Sequence, residues 1–259
     1  MVPKGRLIMI GSAQPENADS SLCNIASREA LKLLVKEKDD RIEIITASSS
    51  KDLQKEYHKA LTEVGYHNFD FLCVDIEEHK LPDENLYARR LAKARTVFFA
   101  GDRSEVYTAL KNTAITDFLR NKYLHEDHFT LAGINAGAMY ISDMMMNGFN
   151  LLPGLGFINN CIVDTQFVHR TRFEKLAHAV ILHREYLGVG LGEGTALIIE
   201  EGYRAFCKGS GTVMVINAKD VKKYNVESVK KGRSVYVKNL KGHILIDGCT
   251  INLSNGRVA

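Results

Sequence analysis

The feature that most constrains this chain is the alternation of two hydrophobic periods through its first half. Runs rich in β-branched and aromatic residues (RLIMIG, RIEIITAS, FDFLCVDI, TVFFAG) take turns with helical patterns (IASREALKLLVKEK, DLQKEYHKALTEVG, ENLYARRLAKA, SEVYTALKNTAITDFLRN). That order predicts a mainly parallel sheet covered by helices on both faces. Ligands of such sheets gather beyond the carboxyl ends of the strands, so the strand-to-helix turns are where chemistry is expected. After Gly188 the pattern changes to TALIIEE, YRAFCKG, TVMVINA, RSVYVKN and HILIDG, separated by Gly, Lys and Asn turns. These read as strands that extend the same sheet in antiparallel fashion. No repeat, low-complexity tract or long Pro/Gly/Ser linker interrupts the chain, so residues 1–259 are read as one α/β domain.

Composition narrows the partners. With 259 residues, 45% of them hydrophobic, the chain can bury a sizeable core. A net charge of +3 falls short of the clustered excess that phosphate contacts require, so no nucleic acid is expected. The opening MVPKGRLIMIGSA is too short for a membrane span and lacks a signal-like apolar region with a cleavage site, which predicts no membrane association and a cytoplasmic location. Cys23, Cys73, Cys161, Cys207 and Cys249 are widely spaced without a Cys-x-x-Cys pair, a pattern of buried thiols rather than of disulfides or zinc. No Walker loop, dinucleotide fingerprint or HExxH sequence is present, so neither a cofactor nor a metal is expected. The lysine-rich VKKYNVESVKKGR reads as a solvated turn region.

The segment FTLAGINAGAMYISDMMM places Gly133-Ile134-Asn135-Ala136-Gly137 between an apolar strand and a helical run. This is the frame of a nucleophile elbow, in which flanking glycines leave room for a sharp turn that lifts the central side chain above the sheet. The central residue should be Ser or Cys. Asn135 instead carries a carboxamide that deprotonation near neutral pH cannot activate. Asn is nevertheless among the few non-glycine residues tolerated at the positive φ of an elbow, so the turn can outlive its chemistry. Met144, Met145 and Met146 follow at helical spacing and read as core packing.

Together with the opening strand RLIMIGSA, the strand-plus-turn TVFFAGDR, and the segments IVDTQFVHRTRFEK and LGVGLGEGTALIIE, this elbow resembles the cyanophycinase and aspartyl-dipeptidase family of serine peptidases. The resemblance implies a flavodoxin-like three-layer sandwich, related to class I glutamine amidotransferases, with a mainly parallel central sheet flanked by helices and C-terminal antiparallel strands. It also implies cleavage at aspartate-derived residues by Ser, His and an acid, and an assembly that is a homodimer. By position, the family Ser falls on Asn135 and the family His on Gln166 within Asp164-Thr165-Gln166-Phe167. The acid matches Glu193, a pocket Gln is replaced by Arg103, Arg170 and Arg172 match family arginines, and Lys175 stands near a third.

Both reactive members are therefore missing. Gln166 can donate its amide N–H to Glu193 and accept from Asn135, but it cannot shuttle a proton. Arg103, Asp164, Arg170, Arg172 and Lys175 are the expected ligand-binding residues, suited to an acidic small molecule or an aspartyl peptide. Two other readings stay open: a hydrolase using a displaced nucleophile such as Ser142 or Cys161, and a non-catalytic interaction subunit. His169 is set aside as a base because, in an extended segment, it points away from the side that Gln166 faces.

Overall fold

The structure is a computed structural model that describes residues 1–11, 25–47, 51–74, 84–101, 104–165, 167, 170–225 and 236–259. The first half runs β1 (Arg6–Ile10), α1 (Ile25–Leu31), β2 (Ile42–Ala47), α2 (Lys51–Glu63), β3 (Phe69–Val74), α3 (Glu84–Lys93), β4 (Thr96–Phe99), α4 (Ser104–Leu110), α5 (Ala114–His125) and β5 (Thr130–Ile134). Then come α6 (Ala136–Ile141), β6 (Ser142–Asn147), β7 (Asn150–Pro153), β8 (Ile158–Asp164), α7 (Arg170–Leu182), β9 (Leu187–Leu191), β10 (Thr195–Glu200), β11 (Arg204–Gly209) and β12 (Val213–Asn217). The remaining strands are β13 (Lys223–Tyr224), β14 (Val237–Lys238), β15 (Lys241–Leu245), β16 (Thr250–Asn252) and β17 (Arg257–Val258).

A nine-stranded sheet has the order β17-β16-β11-β10-β1-β5-β4-β2-β3. Its strands β1, β5, β4, β2 and β3 are parallel, and β10, β11, β16 and β17 extend it antiparallel from β1. The alternating side chains of each strand divide the core, as the pleat requires. Ile8, Ile10, Ile44 and Phe98 pack beneath Leu34, Tyr57 and Leu61 on the α1–α2 face, while Leu7, Met9, Val97 and Phe99 face Tyr107, Leu119 and Tyr123 of α4 and α5. This is the expected flavodoxin-like α/β arrangement.

A second, six-stranded sheet follows the order β15-β12-β9-β8-β6-β7. Its inner residues Cys161, Val163, Val189 and Val215 join the core shared with β1 and β4, and its outer face is covered by Leu176, Ala177 and Val180 of α7. The strands after Gly188 thus divide between these two sheets and a separate two-stranded sheet of β13 and β14 rather than extending one. Local sequence specifies that a segment is a strand, but its pairing partner is a long-range choice.

Two further expectations are corrected. The run SEVYTALKNTAITDFLRN is two helices, because Asn112 adopts φ 60 and Thr113 caps α5, accepting from the Thr116 amide at 3.4 Å. Met144, Met145 and Met146 lie on strand β6, not on a helix. The Ser142 hydroxyl lies 2.7 Å from the Met139 carbonyl where α6 stops, and beyond it Met145 points into the shared core while Met146 points to the α7 side. A short apolar run does not reveal its own period, so packing decided the matter. Among the described residues, no helix is long and apolar enough to cross a membrane.

Asp143, beside that strand start, receives the Tyr186 hydroxyl at 3.1 Å on one oxygen, and its other oxygen is buried without a hydrogen-bond partner among the described residues. Burial pushes its carboxyl above the usual carboxylate range. A raised folded-state pKa favours the protonated form, so the stability it contributes is complete below about pH 4 and is lost as pH rises through the folded value. Asp143→Asn is expected to be more stable than the wild type at pH 7 by urea denaturation, with the gap closing towards pH 4. A gap that stays constant with pH would show that the carboxyl does not titrate in this way.

Candidate functional site

Every residue of β5 is buried, and the strand delivers Asn135 to the carboxyl edge of the sheet at φ 54 and ψ −127. A non-glycine residue held there costs on the order of 1–3 kcal/mol, so the surroundings must enforce the turn. They do so by backbone contact. A Cβ on Gly133 would lie 2.5 Å from the Gly137 carbonyl carbon, and a Cβ on Gly137 would lie 2.4 Å from the Phe99 carbonyl oxygen and 2.8 Å from the Tyr107 hydroxyl. Helix α6 can therefore begin directly on top of β5 and β4 only because both flanking positions lack a side chain. Asn135 itself is 8% exposed.

Glu193 reaches the same edge through the turn that joins the two sheets. Ile10 of β1 is in register with Ile134 of β5 on one side and Ala196 of β10 on the other. Gly11 donates to the Thr195 carbonyl at 2.9 Å, and a Cβ on Gly11 would lie 2.2 Å from the Gly192 carbonyl oxygen. The Gly192-Glu193-Gly194 turn is thus pressed against the end of β1, with the Thr195 hydroxyl donating back to the Gly192 carbonyl at 2.5 Å. Glu193, half-buried, stands in the turn before β10, and β1 lies between β10 and the elbow strand β5.

The Asp164-Thr165-Gln166-Phe167 segment ends β8 beside the same turn. Asp164 pairs with Gly190, the Phe167 amide donates to the Leu191 carbonyl at 3.2 Å, and a Cβ on Gly190 would lie 2.3 Å from the Phe167 ring. Asp164 is 1% exposed, and its Oδ1 accepts from Arg172 Nη1 of α7 at 3.3 Å. These two residues, expected to act separately on a ligand, form one ion pair that ties the strand end to the first turn of α7. They lie eight residues apart across a strand end and a helix start, a separation for which sequence carries no local pairing signal.

Lys175 leans elsewhere. Its ammonium lies 5.5 Å from the Phe149 ring centroid, in the β6–β7 turn. In the sheet order, β9 with the Glu193 turn flanks β8 on one side and β6 on the other, so Lys175 is held on the side away from Glu193. Arg103, Gln166 and His169 lie outside the described residues, and so does the side chain of Arg170. Among the described residues, no cluster of three His, Cys, Asp or Glu side chains can hold a metal ion.

The displaced nucleophiles fare poorly on geometry. Ser142 is fully buried, with its hydroxyl 2.7 Å from the Met139 and Met144 carbonyls. Cys161 is 1% exposed, and burial, aided by Asp143, pushes its thiol up to about 12. Neither can meet a substrate as an activated nucleophile.

The elbow's construction gives two expected outcomes. Gly137→Ala should lower stability by about 2 kcal/mol or more, because the atoms it strikes include backbone. Asn135→Gly, which relieves the positive φ, should raise stability by about 1 kcal/mol. Thermal denaturation of both variants checks the geometry, and a neutral Gly137→Ala would contradict it.

Comparison with known proteins converges on one family. The model for peptidase family S51 matches residues 7–205. The chain is 27% identical over 269 residues to the cyanophycinase of Synechococcus elongatus, covering 98% of this chain and 81% of that protein. It is also 27% identical over 209 residues to the cyanophycinase of Trichormus variabilis, covering 76% of this chain and 69% of that one. The crystal structure of a peptidase from an acI-B1 Actinobacterium superposes with a TM-score of 0.68 at 19% identity, over 96% of this chain and 97% of that one, a likeness of fold.

Proposed function

The chain belongs to peptidase family S51, and from that premise we propose that it does not hydrolyse peptides by the serine route and instead uses the site around the elbow to hold an acidic or aspartyl-arginine-type ligand. The observation that carries this reading is Asn135 at φ 54 in an intact elbow, where a nucleophile would stand. A carboxamide at that point offers a donor and an acceptor to a ligand but no anion that attacks a carbonyl.

The missing base belongs to the same reading. In a serine peptidase, imidazole takes the nucleophile's proton and a carboxylate orients the imidazole. Gln166 at the corresponding sequence position can take up the hydrogen-bonding role between Asn135 and Glu193 without a titration near neutral pH. Backbone donors retained around the elbow give at most the residual catalysis of a triad-deleted enzyme, on the order of a thousandfold over water. Ligand preference follows from the arginines. Arg172 spends part of its charge on Asp164, which leaves Arg103 and Arg170 as the main candidates for a ligand carboxylate.

Two measurements test the two halves separately. The chain incubated with α- and β-aspartyl dipeptides should release no amino acid, and turnover would overturn the loss of activity. Aspartyl-arginine dipeptide at millimolar concentration should raise the melting temperature, since a ligand held only by the native state stabilises it by about 2.7 kcal/mol at a hundred times Kd. No shift with any aspartyl compound would sink the ligand assignment. Hydrolysis should return only when Asn135→Ser and Gln166→His are combined, each alone remaining silent because the nucleophile and base act as a unit.

A further inference from the structure

Helix α2 sorts its charges by side. At 100° per residue, Lys51, Lys55, His58 and Lys59 fall within one arc, and Asp52, Glu56 and Glu63 fall in the adjoining arc. In the acidic arc Glu63 meets Arg28 of α1 at 2.9 Å, and Asp52 pairs with Lys55 at 3.1 Å in an exposed ion pair. The basic arc overlooks β3, and Lys51, Gln54, Lys55, His58, Lys59 and Phe71 line a shallow, widely open cleft between helix and strand.

Strand β3 is the terminal strand of the nine-stranded sheet and pairs with β2 alone. Among the described residues, no strand occupies its outer edge. Edges are usually blunted by lysine or proline on the strand itself, and FDFLCV has neither. Its residues facing α2, Phe69, Phe71 and Cys73, are half-buried. The Phe69 and Phe71 rings meet edge to face with centroids 6.4 Å apart, and the His58 ring meets Phe69 at 5.2 Å. Gln54 donates to the Ala47 carbonyl at 3.4 Å near the far end of the cleft. The one acid of β3, Asp70, lies on the opposite face, matched by Arg90 at 3.1 Å and Arg41 at 3.7 Å.

An open edge offers a row of backbone N–H and C=O groups, and a strand added there would place every second side chain under the helix. We propose that β3 accepts an added strand from a partner protein, an extended segment with acidic residues at alternate positions, selected by Lys51, Lys55, His58 and Lys59. Charge decides between this occupant and a second copy of the chain. Two-fold pairing through β3 would set two basic arcs against each other on the same face of a continuous sheet, and like charges brought together oppose association. The proposal uses no residue of the elbow site and stands or falls independently of the ligand proposed there.

A fluorescent peptide of about twelve residues alternating Glu and Val is the probe, read by anisotropy with the full chain. It should bind saturably and weaken as salt rises, while a Lys-Val peptide and the same Glu-Val peptide N-methylated on all its central amides should bind at least about tenfold more weakly. The triple variant Lys51→Glu, Lys55→Glu, Lys59→Glu, all exposed positions, should lose binding by a similar factor with an unchanged melting temperature. Equal binding of the N-methylated peptide would reduce the effect to charge attraction and overturn strand addition without recourse to any variant. Absence of acidic-peptide binding at millimolar concentration would also overturn it. So would a dimer, seen by light scattering, that the acidic peptide fails to displace.

Discussion

The carboxyl edge of the nine-stranded sheet depends on how closely the backbone of α6 sits on β5 and β4. Gly133 and Gly137 permit separations that no side chain would allow, and the turn between them leaves Asn135 at a positive φ. Close packing makes such a contact all or nothing, since backbone atoms on both sides cannot retreat. The elbow is therefore a property of the scaffold. Whether it is reactive is a separate matter, decided by the one side chain at its centre.

A second close approach sets what faces that side chain. Gly192 rests on Gly11 at the end of β1, so the turn linking β9 to β10 brings the second sheet up to the edge of the first. Because β8 is paired with β9, the Asp164-to-Phe167 segment arrives with it, and the Arg172–Asp164 pair holds that strand end to α7. A buried carboxylate at 1% exposure needs such a partner. The ion pair also redistributes charge, because a guanidinium bonded to a buried acid has less to offer a ligand. The basic site suggested by Arg103, Arg170, Arg172 and Lys175 is thereby divided, with Arg172 turned to Asp164 and Lys175 to Phe149.

Much of this was legible in the chain. The alternation of strand and helix periods gave the parallel half, and the spacing of Gly133, Asn135 and Gly137 marked the elbow, because tight turns demand particular residue types at fixed offsets. Segments whose character depends on partners were harder. Met144–Met146 carries no period of its own, and it became a strand because β8 and β7 were there to pair with it. The break at Asn112 was hidden inside a run that is helical on both sides.

By itself, then, the sequence determined the class of fold and the asparagine at the centre of the elbow, since period, turn chemistry and side-chain identity are local. Only the tertiary structure decided that β9 and β12 leave the first sheet for a second, that Arg172 pairs with Asp164, and that Ser142 and Cys161 are sealed in the core. Each of these is a contact between residues brought together by folding, and its energy depends on burial and neighbours that no stretch of the chain encodes alone.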